Sequence, residues 1–286
     1  DVPIRIGTLV RIDLRGRRVK GWITALDVLP PDGVTLSEVK KVSSVGPPAD
    51  LVELATWASQ QWLGSRVHFL RTATHSRIVS SVTPSAGRPI PATAPSNLAT
   101  ESFRRGGAVV RMPPASDDFS LAIAAASQGR ALVLVPTLAR AQRLALAMKR
   151  AGVDVALHPR DWGASAGGRT TIGTRSAAWA PITELDAVLV LDEQDQAYQS
   201  EAAPTWHARD VVLERAKRDG ARWVIASPAP SLEALTCGAP LLTADRATER
   251  AGWPIVDLVD LRDEPPSAGS WCSQHLSRTL STGRQV

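Results

Sequence analysis

Short apolar runs alternate with helical stretches through residues 98–262, and this alternation constrains the fold more than any other feature of the chain. The strand-like runs fall at 108–111, 131–135, 170–173, 187–191 and 222–226. The helical stretches fall at 118–128, 138–151 and 208–219, and the second of them is expected to bury a stripe of Leu138, Ala141, Ala145 and Met148. Alternation of this kind predicts a parallel sheet with helices on both faces.

The apolar run 187–191 ends in the acidic pair Asp192 and Glu193. A buried parallel strand of this kind delivers side chains to the carboxyl edge of an α/β sheet, where ligands bind. Two carboxylates at that edge can hold Mg²⁺ and polarise an attacking water. The alternative is that they only accept hydrogen bonds from backbone N–H groups, as remnants of a lost catalytic site.

Basic residues are concentrated near the start of the chain, among the apolar residues of a predicted strand pair that turns at Gly16. They are Arg11, Arg15, Arg17, Arg18 and Lys20. The pattern predicts a small antiparallel sheet or barrel with a basic face, followed by a helix over 49–63. The whole chain has a net charge of +5 and a pI of about 9.7. This balance favours a polyanionic partner, the alternative being an ordinary solvated basic surface.

The composition and its local shifts divide the chain into four predicted parts. We expect an N-terminal domain over 1–82, a Pro-rich linker over 83–97, an α/β domain over 98–262 and a connector over 263–286. The two cysteines, Cys237 and Cys272, predict neither a disulfide framework nor a zinc site. No segment resembles a signal peptide or a membrane span, so a cytoplasmic location is expected. The first residue is Asp1, and we expect a fragment of a longer protein.

Several short motifs are similar, in their order and spacing, to those of one family of helicases. They are Leu132 to Thr137, Gly173 to Ala177 (GTRSA), Trp179 to Pro181, Asp192 to Gln196, Tyr198 to Asp210 (ending WHARD) and Ser227 to Leu235. Together they resemble the PriA family, the bacterial replication-restart helicases. Residues 7–26 and 51–70 are similar to the family's DNA-end-binding domain. The resemblance therefore covers the whole chain, and it is stronger over 170–235 than over 7–70.

The resemblance implies a fold, a location and a set of contacts. The implied fold is α/β, a RecA-like helicase lobe preceded by a small, mostly β DNA-binding domain. Beyond the basic N-terminal residues, the implied DNA contacts are Arg175, Tyr198, Trp206 and Arg209. The implied partners are forked or branched DNA, replication-restart proteins and single-strand-binding proteins, in association with the nucleoid. Zinc is implied only in a part of the protein beyond Val286.

The phosphate-binding loop of the family is degenerate in this chain. Such a loop needs glycines whose N–H groups converge on phosphates, a Lys, and a hydroxyl that binds Mg²⁺. The family's loop falls opposite 111–118, where Pro113 and Pro114 have no N–H to donate. Ser116 stands near the lysine position, and Asp117 near the hydroxyl position. Either residue also fits a simpler role, as the cap of the next helix. We therefore expect no resident cofactor, with ATP and Mg²⁺ as the open alternative.

These observations lead to one preferred function and two alternatives. The preferred hypothesis is a replication-restart protein that binds branched or forked DNA and helps to reload the replication machinery without hydrolysing ATP. The first alternative is an active ATP-dependent 3′–5′ DNA helicase of the PriA type. The second is a protein-interaction scaffold without catalytic activity, which the basic strand pair argues against.

Overall fold

The computed structural model describes residues 2–85, 93–263 and 272–282. Its strands are β1 (Leu9–Leu14), β2 (Arg17–Trp22), β3 (Lys41–Ser44), β4 (Gly107–Arg111), β5 (Ala131–Leu134), β6 (Val155–Leu157), β7 (Thr170–Gly173), β8 (Ala187–Leu191), β9 (Arg222–Ser227) and β10 (Leu241–Thr243). Its α-helices are α1 (Ala49–Gln61), α2 (Arg66–Ala73), α3 (Asn97–Arg104), α4 (Asp118–Gln128), α5 (Leu138–Arg150), α6 (Trp162–Ala166), α7 (Ala208–Asp219), α8 (Leu232–Leu235), α9 (Arg246–Gly252) and α10 (Gln274–Ser281). Short 3-10 helices lie at Arg175–Trp179, Gln196–Tyr198 and Leu261–Asp263.

Seven strands of the described chain form one parallel sheet in the order β10-β4-β9-β8-β5-β7-β6. Strands β5 and β8 are buried along their whole length, because the sheet has an apolar cluster on each face. The predicted fold class is confirmed, since a RecA-like parallel sheet follows a small antiparallel one. Strands β6 and β10 were not predicted; each has three residues, too few for an apolar run to stand out.

The helices of the lobe begin where short polar side chains cap them. Asp117 accepts a hydrogen bond from the amide of Phe119 at 2.9 Å, and Thr137 accepts one from the amide of Arg140 at 3.3 Å. Helix α5 buries Ala141, Leu144, Ala145 and Met148. Leu138 is 53% exposed, so its predicted place in this stripe was wrong, because the buried face begins only at Ala141.

The first three strands form an antiparallel sheet in the order β2-β1-β3. Arg15 and Gly16 form the turn between β1 and β2, with φ angles of 49° and 72°. Glycine adopts such angles without a steric cost, which explains the turn predicted at Gly16. The strand pair predicted near the N-terminus therefore forms as expected.

Helices α1 and α2 pack against the lobe through a chain of aromatic rings. The ring centroids of Phe69 and Trp179 lie 5.3 Å apart, and those of Trp179 and Trp206 lie 6.0 Å apart. The Nε1 atom of Trp162 donates a hydrogen bond to the carbonyl of Ala73 at 3.1 Å. Buried residues of α1, α2 and the lobe belong to one apolar cluster. The N-terminal helices and one face of the large sheet thus share a core.

The predicted linker over 83–97 lies partly outside the described residues, which omit 86–92. On either side of that gap the chain contacts the lobe or caps a helix: Ser85 donates its amide hydrogen to Gly167 at 2.7 Å, and Ser96 caps α3. The boundaries at 82, 97 and 262 stay predictions, as does the connector over 263–286, of which 264–271 and 283–286 are not described. In the part of the chain that the structure describes, no helix is long and apolar enough to cross a membrane.

Candidate functional site

The carboxyl ends of β4, β9 and β8 surround a cavity of about 400 Å³ at the edge of the sheet. Its walls include Pro113 and Ser116 from the loop after β4, Asp192 after β8, and Pro228 after β9. The structure thus brings the degenerate loop and the acidic turn together in one cavity. This is the edge of an α/β sheet where ligands bind.

The loop over 112–117 has few backbone N–H groups left for a phosphate. Pro113 and Pro114 have none. The amides of Met112, Ala115 and Ser116 donate to the carbonyls of Ser227, Gly252 and Pro113 respectively, at 3.1, 3.1 and 2.9 Å. A phosphate-binding loop works only if consecutive amides point at the ligand. Five of the six loop residues therefore offer no amide, two because they are prolines and three because they are already bonded.

Helix α9 packs against the loop over 112–117 and against the strand before it. The guanidinium of Arg111 forms two hydrogen bonds with the carboxylate of Glu249, at 2.9 and 2.7 Å. The backbone of Gly252 lies against Pro113, so closely that a Cβ atom added there would stand 2.4 Å from the ring. These contacts fix the loop in its present conformation. Asp117 caps α4, as the simpler interpretation expected, and Ser116 lies in the cavity wall.

Asp192 does not face an open cation site. Its carboxylate forms an ion pair with Nη1 of Arg140, and the same guanidinium binds Asp118, with Nε 2.9 Å from Oδ2. Asp192 has a φ of 49°, a strained conformation for a residue with a side chain. Burial raises the pKa of Asp118, the guanidinium of Arg140 opposes this rise, and the nearby Asp192 adds to it. Two carboxylates therefore share one positive charge.

Glu193 is fully buried and is bonded on both oxygens. Oε1 accepts from the amide of Ser231 at 2.6 Å, while Oε2 accepts from the hydroxyl of Ser231 at 3.0 Å and from Nη1 of Arg209 at 3.1 Å. The second interpretation, in which the acidic pair accepts from backbone N–H groups, describes Glu193 only in part, because one of its three donors is a backbone amide; Asp192 is bonded to the side chain of Arg140 instead. In this arrangement three loop amides and both carboxylates are bonded within the protein.

Three of the predicted DNA contacts lie where DNA cannot reach them in this conformation. Tyr198 is fully buried and donates its hydroxyl hydrogen to the carbonyl of Leu191 at 2.7 Å. Trp206 is 3% exposed and packs edge-on against Trp179. The side chain of Arg209 is 11% exposed and is paired with Glu193 and Asp210. The structure gives no support to DNA contacts through these side chains.

Arg175, a predicted DNA contact, and His207, from the WHARD motif, both form hydrogen bonds with nearby backbone groups. Arg175 is half-buried, and its Nη1 atom donates to the carbonyls of Ala197 and Gln199. His207 caps α7 through Nδ1, which accepts from the amide of Arg209 at 3.2 Å. Burial lowers the pKa of His207, and the charge of Arg209 lowers it further, so the ring stays neutral and able to accept. Both residues organise the polypeptide around the site.

The basic residues of the N-terminal sheet are all exposed, as expected. These are Arg11, Arg15, Arg17, Arg18 and Lys20. The pairing adds one more cation, because Arg11 stands opposite Lys20 on β2 and opposite Lys41 on β3. The place of Lys41 was not predicted, since only the register of the third strand brings it beside Arg11, 30 positions away. Asp13 partly offsets the charge, with Oδ1 3.8 Å from Nε of Arg18.

Like charges directly opposite one another destabilise a sheet. The row Lys20–Arg11–Lys41 crosses three strands that lie about 5 Å apart. Such a row places three cations side by side on one exposed face of the sheet. Among the described residues, no group of three His, Cys, Asp or Glu side chains is arranged to hold a metal ion.

The fold defines a class of protein, in which a RecA-like α/β lobe is joined to a small antiparallel sheet. Comparison with curated proteins then shows which family the chain is similar to. The chain is 39% identical to the replication restart protein PriA of Chlamydia pneumoniae over 126 residues, and 31% identical to that of Bacillus subtilis (strain 168) over 100 residues. These matches cover 39% and 34% of the chain. They confirm the resemblance to the PriA family.

A longer match extends the relationship over both parts of the chain. The probable replication restart protein PriA of Mycobacterium tuberculosis is 28% identical over 293 residues, which cover 90% of the chain and 43% of that relative. The matches to the Chlamydia and Bacillus proteins cover 17% and 12% of those relatives. The chain therefore spans less than half the length of these curated relatives. No protein-family model matches the chain.

Solved structures with a similar arrangement include two DEAD-box-type proteins. One is S. cerevisiae dbp5 bound to nup159, gle1, IP6 and ADP, with a TM-score of 0.41 and 11% identity over 54% of this chain and 49% of that one. The other is a DEAD box protein from Methanococcus jannaschii, with a TM-score of 0.40 and 12% identity over 53% of this chain and 50% of that one. The assignment of the fold depends on the sheet order itself.

Proposed function

We propose that this chain is the DNA-binding part of a replication-restart protein that recognises forked or branched DNA and helps to reload the replication machinery without hydrolysing ATP. The observation that carries the proposal is the row Lys20–Arg11–Lys41, an exposed line of cations across three paired strands. The names of the PriA relatives support a role in replication restart. Restart and single-strand-binding proteins are its proposed partners.

The cationic row suits a nucleic-acid backbone on physical grounds. Its side chains come from strands that pair in register, so their positions are set by the sheet. Each cation that neutralises a phosphate releases a counterion, and this release drives binding at low salt. Arg18 lies two residues from Lys20 on β2 and therefore on the same face as the row, and Arg15 lies at the β1–β2 turn. Contacts to the phosphate backbone give affinity and orientation without base specificity.

We propose no ATP hydrolysis because the site lacks free backbone N–H donors for the phosphates. The loop over 112–117 offers few amides, and Asp192 and Glu193 are bonded to Arg140 and Arg209. The helicase alternative relies on the same two carboxylates. It would require Arg140 and Arg209 to leave them and the loop over 112–117 to refold around a triphosphate.

The decisive experiment measures binding of the full chain to labelled forked DNA, linear duplex and single strands as salt is raised from about 50 to 200 mM. The wild type should prefer the fork. Replacing Lys20 and Lys41 together by Ala should reduce the log–log salt slope by about one to two. The matched control replaces Lys149 and Arg150, two exposed cations at the end of α5, and should leave the slope unchanged. An unchanged slope and affinity in the Lys20/Lys41 variant would refute the assignment of this surface.

A further inference from the structure

The side chain of Arg140 joins two carboxylates that come from separate elements of the lobe. Asp118 is the first residue of α4, Asp192 follows β8, and Arg140 lies in the first turn of α5. Its Nη1 atom pairs with Asp192, while Nε and Nη2 pair with Asp118. About three quarters of each side chain is buried, the exposed fractions being 25%, 27% and 24% for Arg140, Asp118 and Asp192.

Two carboxylates this close repel each other unless a cation lies between them. A guanidinium suits the position because its planar N–H groups can bind two acids at once. A divalent cation would suit it as well, since carboxylate oxygens are the preferred ligands of Mg²⁺ and Mn²⁺. The trio has a net charge of −1, whereas the two ionised carboxylates without the guanidinium would carry −2. Nothing in the sequence pattern shows this pairing, because Arg140 lies 22 and 52 residues from its two partners.

We propose that the guanidinium of Arg140 is a resident cation that replaces a divalent metal ion between Asp118 and Asp192. This proposal rests on the proposed function, in which the protein does not hydrolyse ATP. It adds a second reason for the missing metal ion, because Arg140 of α5 occupies its place independently of the altered loop over 112–117. In this chain the charge of Arg140 excludes the metal, and the bonded loop separately excludes the phosphates.

Variants at position 140 test whether the guanidinium occupies the place of a metal ion. Without the guanidinium, the two carboxylates are left facing each other and should bind a divalent cation. Met at position 140 removes the charge and keeps an unbranched side chain that can fill the space. Lys at position 140 retains a positive charge, so Arg140→Lys should behave as the wild type does. Arg140→Met combined with Asp192→Asn leaves one carboxylate and should lose the new site.

The test titrates the full chain with MnCl₂ alone and follows free Mn²⁺ by electron paramagnetic resonance, without nucleotide or DNA. Wild type and Arg140→Lys should bind no Mn²⁺ at millimolar concentration. Arg140→Met should bind one equivalent, with a dissociation constant at least tenfold lower than that of the wild type. The double variant should return to the wild-type result. Wild-type binding equal to that of Arg140→Met, or no binding by a folded Arg140→Met, would overturn the proposal.

A second readout covers the case in which Arg140→Met is too unstable to titrate. A ligand that binds only the folded state raises the melting temperature as its concentration rises. MnCl₂ should therefore raise the melting temperature of Arg140→Met and leave that of the double variant unchanged; no rise would also overturn the proposal. DNA binding of the same variants is measured in parallel and should equal that of the wild type. If the wild type itself does not bind DNA, the result counts against the proposed function and leaves the proposal about Arg140 unaffected.

Discussion

Glu193 and Ser231 are joined by two hydrogen bonds, with the amide nitrogen 2.6 Å from Oε1 and the hydroxyl oxygen 3.0 Å from Oε2. The same hydroxyl accepts from the amide of Ala234 and so caps α8. Glu193 therefore ties the turn after β8 to the helix after β9. Arg209 supplies the positive charge that makes a buried carboxylate tolerable there. These contacts stabilise the lobe, and they occupy the carboxylate that the helicase alternative needs for catalysis.

Replacing Arg209 by Ala should destabilise the protein. It leaves Glu193 buried without a compensating charge, and breaking such a pair costs about 3–5 kcal/mol. Urea unfolding followed by tryptophan fluorescence measures the loss in free energy of unfolding. Arg17→Ala, at an exposed position, should stay within about 0.5 kcal/mol of the wild type. A stable Arg209→Ala variant with weakened DNA binding would restore the original prediction that Arg209 contacts DNA.

The nucleotide prediction follows from the bonded loop over 112–117 and from Arg140. ATP with Mg²⁺ should bind more weakly than millimolar, because the site lacks converging amides, a lysine and an open cation position. Calorimetric titration of the full chain at low salt should give only the heat of dilution. A micromolar dissociation constant together with DNA-stimulated phosphate release would establish the helicase alternative.

The N-terminal helices and the lobe should unfold together. Phe69 is fully buried between Trp62 and Trp179, so Phe69→Ala should lower the free energy of unfolding by about 3–5 kcal/mol. Far-ultraviolet circular dichroism and tryptophan fluorescence should report one common transition in both proteins. Val67→Ala, on the exposed face of the same helix, is the matched control and should have little effect. Two transitions, with only one shifted by Phe69→Ala, would show that 1–82 folds independently.

Local pattern predicted much of this fold but little of its site chemistry. The strands predicted over 187–191 and 222–226 could be recognised because buried parallel strands contain short continuous apolar runs, here 187–191 and 223–226. The capping role of Asp117 was foreseen because it involves residues two positions apart. The pairing of Arg140 with Asp192 and the position of Lys41 were not foreseeable, since each depends on tertiary contacts. For Tyr198 the motif led to the wrong expectation, because it suggested an exposed ring that could contact DNA, whereas packing buries the ring.

His158 should make stability depend on pH. It follows β6, is 3% exposed, and its Nδ1 atom has no hydrogen-bond partner. Burial, assisted by the charge of Arg215, lowers its pKa from 6.5 to about 4. Between these two values the unfolded chain binds the proton and the folded chain does not. Stability linked to His158 is therefore complete above pH 6.5 and is lost as the pH falls towards 4.

The variant His158→Met removes the titrating ring and keeps an adaptable apolar side chain in the core. Urea unfolding of both proteins at pH 7.5 and 4.5 compares their free energies of unfolding. The wild type should lose about 2–3 kcal/mol more than the variant over this interval, because one pKa unit corresponds to about 1.4 kcal/mol. The comparison cancels the carboxylates that titrate in the same range, Asp50 and Asp118 among them, whose pKa values burial raises. If the difference between the two proteins is the same at both pH values, His158 is not the buried neutral group that the structure shows.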